Sequence, residues 1–302
     1  MQDCFVRTEE FRSVVPWLSA TLPVSFAALE QEAMAEQVPS DWLGLSGRVC
    51  VVTGGGGGIG RATALSFAQA GGRVAAIDLD ERGLEVTREE LARLGAEHVI
   101  ARCDTSDVES VTSASATIEQ LLGPCQVLVN TAAVLRPGAL DTLSLAEWNA
   151  VLAVNLTGYF VCAQVFGRQM RVHRRGSLVH VASIAGSHAQ GQSGAYSVSK
   201  AAVIMLSRQL ANEWGPHGIR SNVVSPGMVI TPMSQAFYDT PGVPERRAAV
   251  VPMRRVGMPQ DMADAILFLA SDRASYVNGD EITVDGGYAN MLMNLVPRPG
   301  FE

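Results

Sequence analysis

A run of five glycines, Gly54 to Gly58, joins an apolar β-branched stretch to a helical pattern in the order Thr53-Gly54-Gly55-Gly56-Gly57-Gly58-Ile59-Gly60. No other feature restricts the possible folds as strongly. Residues without Cβ admit positive φ and allow close approach of a pyrophosphate, and the helix that begins here offers that charge its N-terminal amides. A flexible linker is the plainer reading of many glycines, but both flanks are ordered patterns. The context predicts the first strand–turn–helix of a dinucleotide fold, with Gly54, Gly58, Ile59 and Gly60 at the cofactor.

From residue 48 onward short β-branched runs alternate with longer helical periods, the pattern of repeated βα units. Strands are expected at Arg48–Thr53, Arg73–Asp78, His98–Cys103, Val127–Asn130, Ser177–Ala182, Arg220–Val224 and Glu281–Val284. Their nearly continuous apolar character suits a parallel sheet covered on both faces. Helices are expected at Ile59–Ala70, Glu81–Leu94, Asp107–Leu122, Leu145–Met170, Ala195–Trp214 and Pro259–Leu269. The proline-rich stretch around 232–258 reads as a lid over the ligand face. Asp78 ends the second strand, where a carboxylate would accept from adenine-ribose hydroxyls and repel a 2′-phosphate. NAD is therefore expected over NADP; the alternative is that Asp78 only caps the next helix.

Tyr196 and Lys200 stand four apart in YSVSK and so share a helix face, with Ser183 thirteen residues upstream. An ammonium beside a phenol lowers its pKa from about 10 and lets it exchange a proton near neutral pH. Beside a dinucleotide turn, that pair points to hydride transfer with a tyrosine acid/base. Singly, Ser183 also reads as a hydroxyl serving a strand-end carbonyl, and Asn155 as a mid-helix amide bonding its own backbone.

These residues fall in a longer ordered series. Thr53, Gly54, Gly58 and Gly60 are followed by Asp78, Asp104 after the third strand, Asn130 in NTAA, and Asn155 in VNLTGYF. Then come Ser183, YSVSK, Pro226-Gly227 with Thr231, and a closing VDGG at 284–287. Over residues 45–290 the chain resembles the short-chain dehydrogenase/reductase family, classical type. The resemblance implies one doubly wound (Rossmann) α/β domain, with a seven-stranded parallel sheet and helices on both faces. It implies that Tyr196 exchanges the proton of the reacting oxygen, that Ser183 hydrogen-bonds that oxygen, and that Lys200 holds the nicotinamide ribose. Asn155 would anchor a water linking Lys200 to solvent. Asp104 with Thr105 would bind the adenine side, Asn130 and its neighbours would support the adenosine, and Pro226, Val229 and Thr231 would fix the carboxamide. Where the family pattern is N-N-A-G, this chain has Asn130-Thr131-Ala132-Ala133, which adds a methyl beside the cofactor. Family members are commonly tetramers, so a homotetramer or homodimer is expected through the helices Leu145–Met170 and Ala195–Trp214. A family enzyme with non-redox chemistry, a dehydratase or epimerase, is the alternative.

Composition limits the partners. With 302 residues, 47% hydrophobic content and a net charge of −7, the chain is a well-buried globular protein ill suited to nucleic acid. The basic cluster Arg168, Arg171, His173, Arg174 and Arg175 falls where a helix should end and is read as complementing its dipole. Five cysteines without C-x-x-C spacing suit a reducing, cytoplasmic setting, with Cys50, Cys103 and Cys162 as small core residues, and the five histidines show no metal-ligand spacing. Residues 1–44 read equally as a peripheral extension docked on the domain or a neighbouring subunit and as a disordered tail or mis-assigned start; their apolar part is broken by Pro16 and Pro23 and is too short to span a bilayer. The substrate, an alcohol or ketone of apolar or cyclic kind, should meet Val134, Leu135, the 184–194 segment with His188, Gln190 and Gln192, and Met228, Met233, Phe237, Tyr238, Val251 and Met253 of the lid. The 291–302 tail, with Met291, Leu292, Met293, Leu295 and Val296, is apolar enough to need covering.

Overall fold

The computed structural model describes residues 41–300, so the expectations for the N-terminal extension and for Cys4 lie outside the described residues. Leu43–Glu302 forms one compact unit. Its strands are β1 (Val49–Thr53), β2 (Arg73–Asp78), β3 (His98–Arg102), β4 (Val127–Asn130), β5 (Gly176–Val181), β6 (Ile219–Pro226) and β7 (Glu281–Val284). They pair in the order β3-β2-β1-β4-β5-β6-β7, every pair parallel. The order reverses between β1 and β4, and a sheet of this kind binds ligands in the crevice above the C-terminal ends of those strands.

The helices between them are α1 (Gly58–Gln69), α2 (Glu81–Arg93), α3 (Val108–Leu122), α4 (Leu145–Leu152), α5 (Gly158–His173), the one-turn α6 (Ile184–Ser187) and α7 (Tyr196–Trp214). Within the expected lid lie two short helices, α8 (Gln235–Tyr238) and α9 (Val243–Val250), followed by α10 (Pro259–Ala270). Alternate strand residues feed two cores: Cys50 and Val52 join Phe67, Val129 and Ile266 on one face, while Val49 and Val51 join Ile118, Leu128 and Phe166 on the other. The period of two in a strand and burial on both sides account for the near-continuous apolar runs.

The seven strands and six expected helices fall within three residues of their sequence-based bounds, with one informative departure, while α6, α8 and α9 have no counterpart among the expected helices. The helix expected over Leu145–Met170 is not uniform; Ala153–Thr157 forms a π-helical turn between α4 and α5. Such turns widen a helix and free main-chain groups, and they concentrate at functional sites. The helix then runs to His173, where Arg174 adopts the left-handed conformation (φ 48°) and closes it. Arg174 bonds the Pro216 carbonyl at 2.8 Å and Arg175 pairs with Asp272 at 3.0 Å, so these members of the basic cluster serve the helix end and its neighbours. Leu145–His173 has the length and hydropathy of a membrane span, but half of its most apolar window is buried, and α5 packs on β4, β5 and α3 as a core helix.

Candidate active site

A cleft of about 530 Å³ opens above the ends of β1, β2, β4, β5 and β6. One end is the glycine turn, whose shape is set from behind. Thr87 donates to the Gly55 carbonyl at 2.8 Å, and Arg61 reaches the carbonyls of Gly56 and Gly83 and the hydroxyl of Thr87. With these carbonyls held away, α1 begins at the cleft without a side-chain cap and without an acid in its first turn. Its N-terminal amides therefore meet no acid from the helix's own first turn. A Cβ at Gly57 or Gly58 would stand 3.5 or 3.4 Å from Pro232 across the cleft and fill the cradle. The residues present fit a dinucleotide pyrophosphate.

Asp78 accepts from Gly56 N–H at 2.9 Å and Asp80 N–H at 3.0 Å, which pins its carboxylate beside the turn. The following helix is capped by Asp80, which accepts from Arg82 N–H, so capping does not account for Asp78. Asp104 and Thr105 line the same end. Asn130 is different. It is fully buried, donates to His180 Nδ1 at 3.1 Å, and stands behind the cleft wall, which is formed by its neighbours Thr131, Ala132 and Ala133. The Thr53 hydroxyl accepts from the amides of Thr131 and Ala132, and Thr131 donates back to the Thr53 carbonyl. That exchange locks the ends of β1 and β4 together.

Ser183, Tyr196 and Lys200 line the centre of the cleft. Ser183 follows β5 by two residues as the N-cap of α6, accepting from Ala185 N–H at 3.1 Å. Tyr196 opens α7 and brings Lys200 one turn on, with the ammonium 5.7 Å from the phenol ring centroid. Lys200 is 1% exposed and donates to the Val181 carbonyl at 2.8 Å and to Tyr159 Oη at 3.4 Å. Tyr159 was not anticipated from sequence, because a tyrosine on a helix reads equally well as core. Its hydroxyl donates to that same Val181 carbonyl at 3.1 Å. Asn155, in the π turn, bonds not its own helix but both backbone groups of Val134, at 2.8 and 3.0 Å, and the Ser199 hydroxyl at 3.1 Å. Ser199 in turn donates to the Tyr196 carbonyl at 2.6 Å, so Asn155 ties the first turn of α7 to the cleft wall.

The electrostatics depart from the expectation in one respect. Burial pushes the Tyr196 phenol up, and the Ser183 hydroxyl draws it partly back. Lys200 does not set that balance; desolvation lowers it from 10.5 to about 7. Each buried group resists its charged form. The low phenol pKa predicted from the Tyr–Lys spacing is thus not produced by these two side chains alone.

The lid contributes Met233, Phe237, Tyr238 and Arg247 to the cleft wall, and Val134, Leu135, Gln190 and Met228 line it too. Pro226, Val229 and Thr231 also line the cleft, with Thr231 against the glycine turn. Of the expected substrate contacts, His188 and Gln192 lie outside the lining, Val251 is buried beside Gly286, and Met253 is exposed. Arg247 was missed because four arginines punctuate 246–255 and only the packing of α9 selects one of them.

This cleft, a glycine-turn cradle at a strand-order switch leading to a Ser–Tyr–Lys cluster, defines a nucleotide-dependent oxidoreductase of the doubly wound class. A family model described as enoyl-(acyl carrier protein) reductase matches residues 54–289. The chain is 38% identical over 244 residues to D-threitol dehydrogenase of Mycolicibacterium smegmatis, covering 81% of this chain and 94% of that one. It is 35% identical over 252 residues to 2,3-dihydro-2,3-dihydroxybenzoate dehydrogenase of Bacillus subtilis, covering 81% and 97%. Among solved structures it matches a gluconate 5-dehydrogenase from Burkholderia cenocepacia in complex with NADP and tartrate, with TM-score 0.78, 30% identity and coverage of 83% and 98%. The chain belongs to the short-chain dehydrogenase/reductase family.

Proposed function

We propose that the protein interconverts a secondary alcohol and a ketone with NAD, using Tyr196 as acid/base. The observation that carries this reading is the joint placement of Ser183, Tyr196 and Lys200 at the centre of one cleft whose end is the glycine cradle. A bound nicotinamide supplies or accepts the hydride. Ser183 orients the reacting oxygen, Tyr196 gives it a proton in reduction or takes one in oxidation, and Lys200 holds the ribose and positive potential nearby. Asn155 keeps the π turn and α7 in register, where an anchored water links Lys200 to solvent. The apolar residues of the lining suit a cyclic or otherwise apolar carbon frame around the carbinol, and the relatives named for threitol and for a dihydroxylated ring act on molecules with secondary carbinols.

Absorbance at 340 nm with NAD and a panel of secondary alcohols tests the reading. Because burial raises the phenol above its ordinary pKa of about 10, its proton is kept through neutral pH, and carbonyl reduction is expected to hold across that range and to fall only in the alkaline tyrosine range or above. Alcohol oxidation should rise with pH as the proton is lost more easily. Nucleotide retained with no absorbance change for any alcohol or ketone would instead favour a dehydratase or epimerase.

The pinned Asp78 carboxylate supports NAD over NADP. Asp78→Ser is expected to reduce the NAD:NADP ratio of kcat/KM at least tenfold; an unchanged ratio would remove Asp78 from cofactor choice. Exposed Phe160 on α5, exposed Val198 and Met205 on α7, and exposed Leu292, Met293 and Val296 in the tail support covering by further copies of the chain, as a homotetramer or homodimer. Sedimentation as a monomer at micromolar concentration would exclude that. The four described cysteines are free and buried, which suits a cytoplasmic setting.

A further inference from the structure

We propose that the lid side of the cleft holds an oxyanion subsite built on Arg247, so that the substrate is a secondary alcohol or ketone carrying a carboxylate, sulfonate or phosphate away from its reacting carbon. This rests on the reading of the cleft as an alcohol site.

Arg247 projects from α9 onto the two aromatic rings of α8. Its guanidinium carbon lies 5.1 Å from the Phe237 ring centroid and 4.8 Å from that of Tyr238. Stacking occupies the face of a guanidinium and leaves its edge of N–H donors open, and that edge matches an oxyanion bidentately. Of the other arginines in 246–255, Arg254 donates to the Ala249 carbonyl at 2.5 Å, Arg255 pairs with Asp261 at 2.6 Å, and Arg246 is exposed outside the cleft lining. Arg247 has no carboxylate partner among the described ion pairs, and it lines the cleft. A second group points the same way. Tyr238 is 8% exposed, lines the cleft, and its hydroxyl is buried without a hydrogen-bond partner. An orphaned hydroxyl beside an unpaired guanidinium is what an absent acceptor would leave.

The apolar wall makes the case stronger. Met228, Met233, Val134 and Leu135 would exclude water once a substrate is seated. A neutral substrate would then strand the guanidinium without a counter-charge, and burying an unpaired charge is strongly unfavourable. The acids that line the cleft, Asp78, Asp80 and Asp104, are at the adenosine end and do not reach it as partners. Lys200, the other cation in the lining, is committed to Val181 and Tyr159. Arg247 is thus the cleft's cation available to a substrate.

The test is titration calorimetry of NADH-loaded protein with hydroxy acids having two to five carbons between carbinol and carboxylate, each against its primary amide. The matching sulfonates and phosphate monoesters form two further arms that identify the oxyanion. At least one anion is expected to bind tenfold or more tightly than its amide. Arg247→Met should remove that preference, and Arg247→Lys should keep part of it, since charge survives without the planar stack. Equal binding of every acid–amide pair, or binding of none, overturns the subsite. So does an unchanged preference in Arg247→Met, or an effect of that change on NADH affinity alone, which would assign the guanidinium to the cofactor. The readout is independent of turnover. A protein that prefers the anions but oxidises no alcohol would refute the redox reading and not the subsite. One that oxidises neutral alcohols without an anion preference would do the reverse.

Discussion

Tyr196→Phe is expected to lower kcat by about 10²–10⁴-fold, the range associated with a positioned general acid/base, while the dissociation constant for NADH stays within about twofold by fluorescence titration. The change removes one oxygen and keeps the ring, so α7 and the packing beneath it should be preserved. Lys200 keeps its bonds to Val181 and Tyr159, neither of which involves Tyr196. A ribose anchor therefore survives the loss of the proton carrier. Turnover within threefold of wild type would move the acid/base role elsewhere. In that event the buried Tyr159 hydroxyl, 3.4 Å from Lys200 Nζ, becomes the next group to test.

Gly60→Ala is the second large effect, and it acts through the fold. A Cβ at Gly60 would run into the carbonyl oxygen of Gly54 and stand 2.7 Å from the Thr131 hydroxyl. The first of these is backbone. Gly54 is itself held at φ 67°, with its own Cβ position 2.9 Å from the Ala132 amide, so the turn cannot retreat. Overpacking of this kind costs about 1–3 kcal/mol, enough to lower Tm by several degrees in a chain of this size. Separation of β1 from α1 should also weaken NADH binding more than tenfold. Gly57→Ala is the internal control. Its backbone is extended at φ −174°, and its Cβ would meet nothing closer than Pro232 at 3.5 Å. It should leave Tm unchanged and weaken NADH only by filling the cradle. Equal melting temperatures for both variants and wild type would show that the turn is less tightly packed than described.

Much of this was legible along the chain. Repeating local rules fixed the strands and most helix bounds, because a parallel strand buried on both faces must be apolar throughout and a helix must repeat at 3.6 residues. The glycine turn, Asp78 and the Tyr196–Lys200 spacing were readable for the same reason: each states its chemistry within a few residues. The π turn at Ala153–Thr157 was not, because a helix that admits one extra residue has no local signature. Its placement comes from Asn155 reaching Val134 and Ser199. Val251 and Met253 resembled Met228 and Phe237 in type, and only packing separated those that face the cleft from those beside Gly286.

The amino-acid order by itself carried the alternating strands and helices, the motifs of the family and the candidates Ser183, Tyr196 and Lys200, since those are written in local pattern and residue type. The tertiary structure alone decided that Asn130 stands behind the wall, that burial raises the Tyr196 phenol, and that Arg247 lines the cleft. Those outcomes depend on desolvation and on which side chains meet across distant segments, and neither quantity exists until the chain has closed around the cleft.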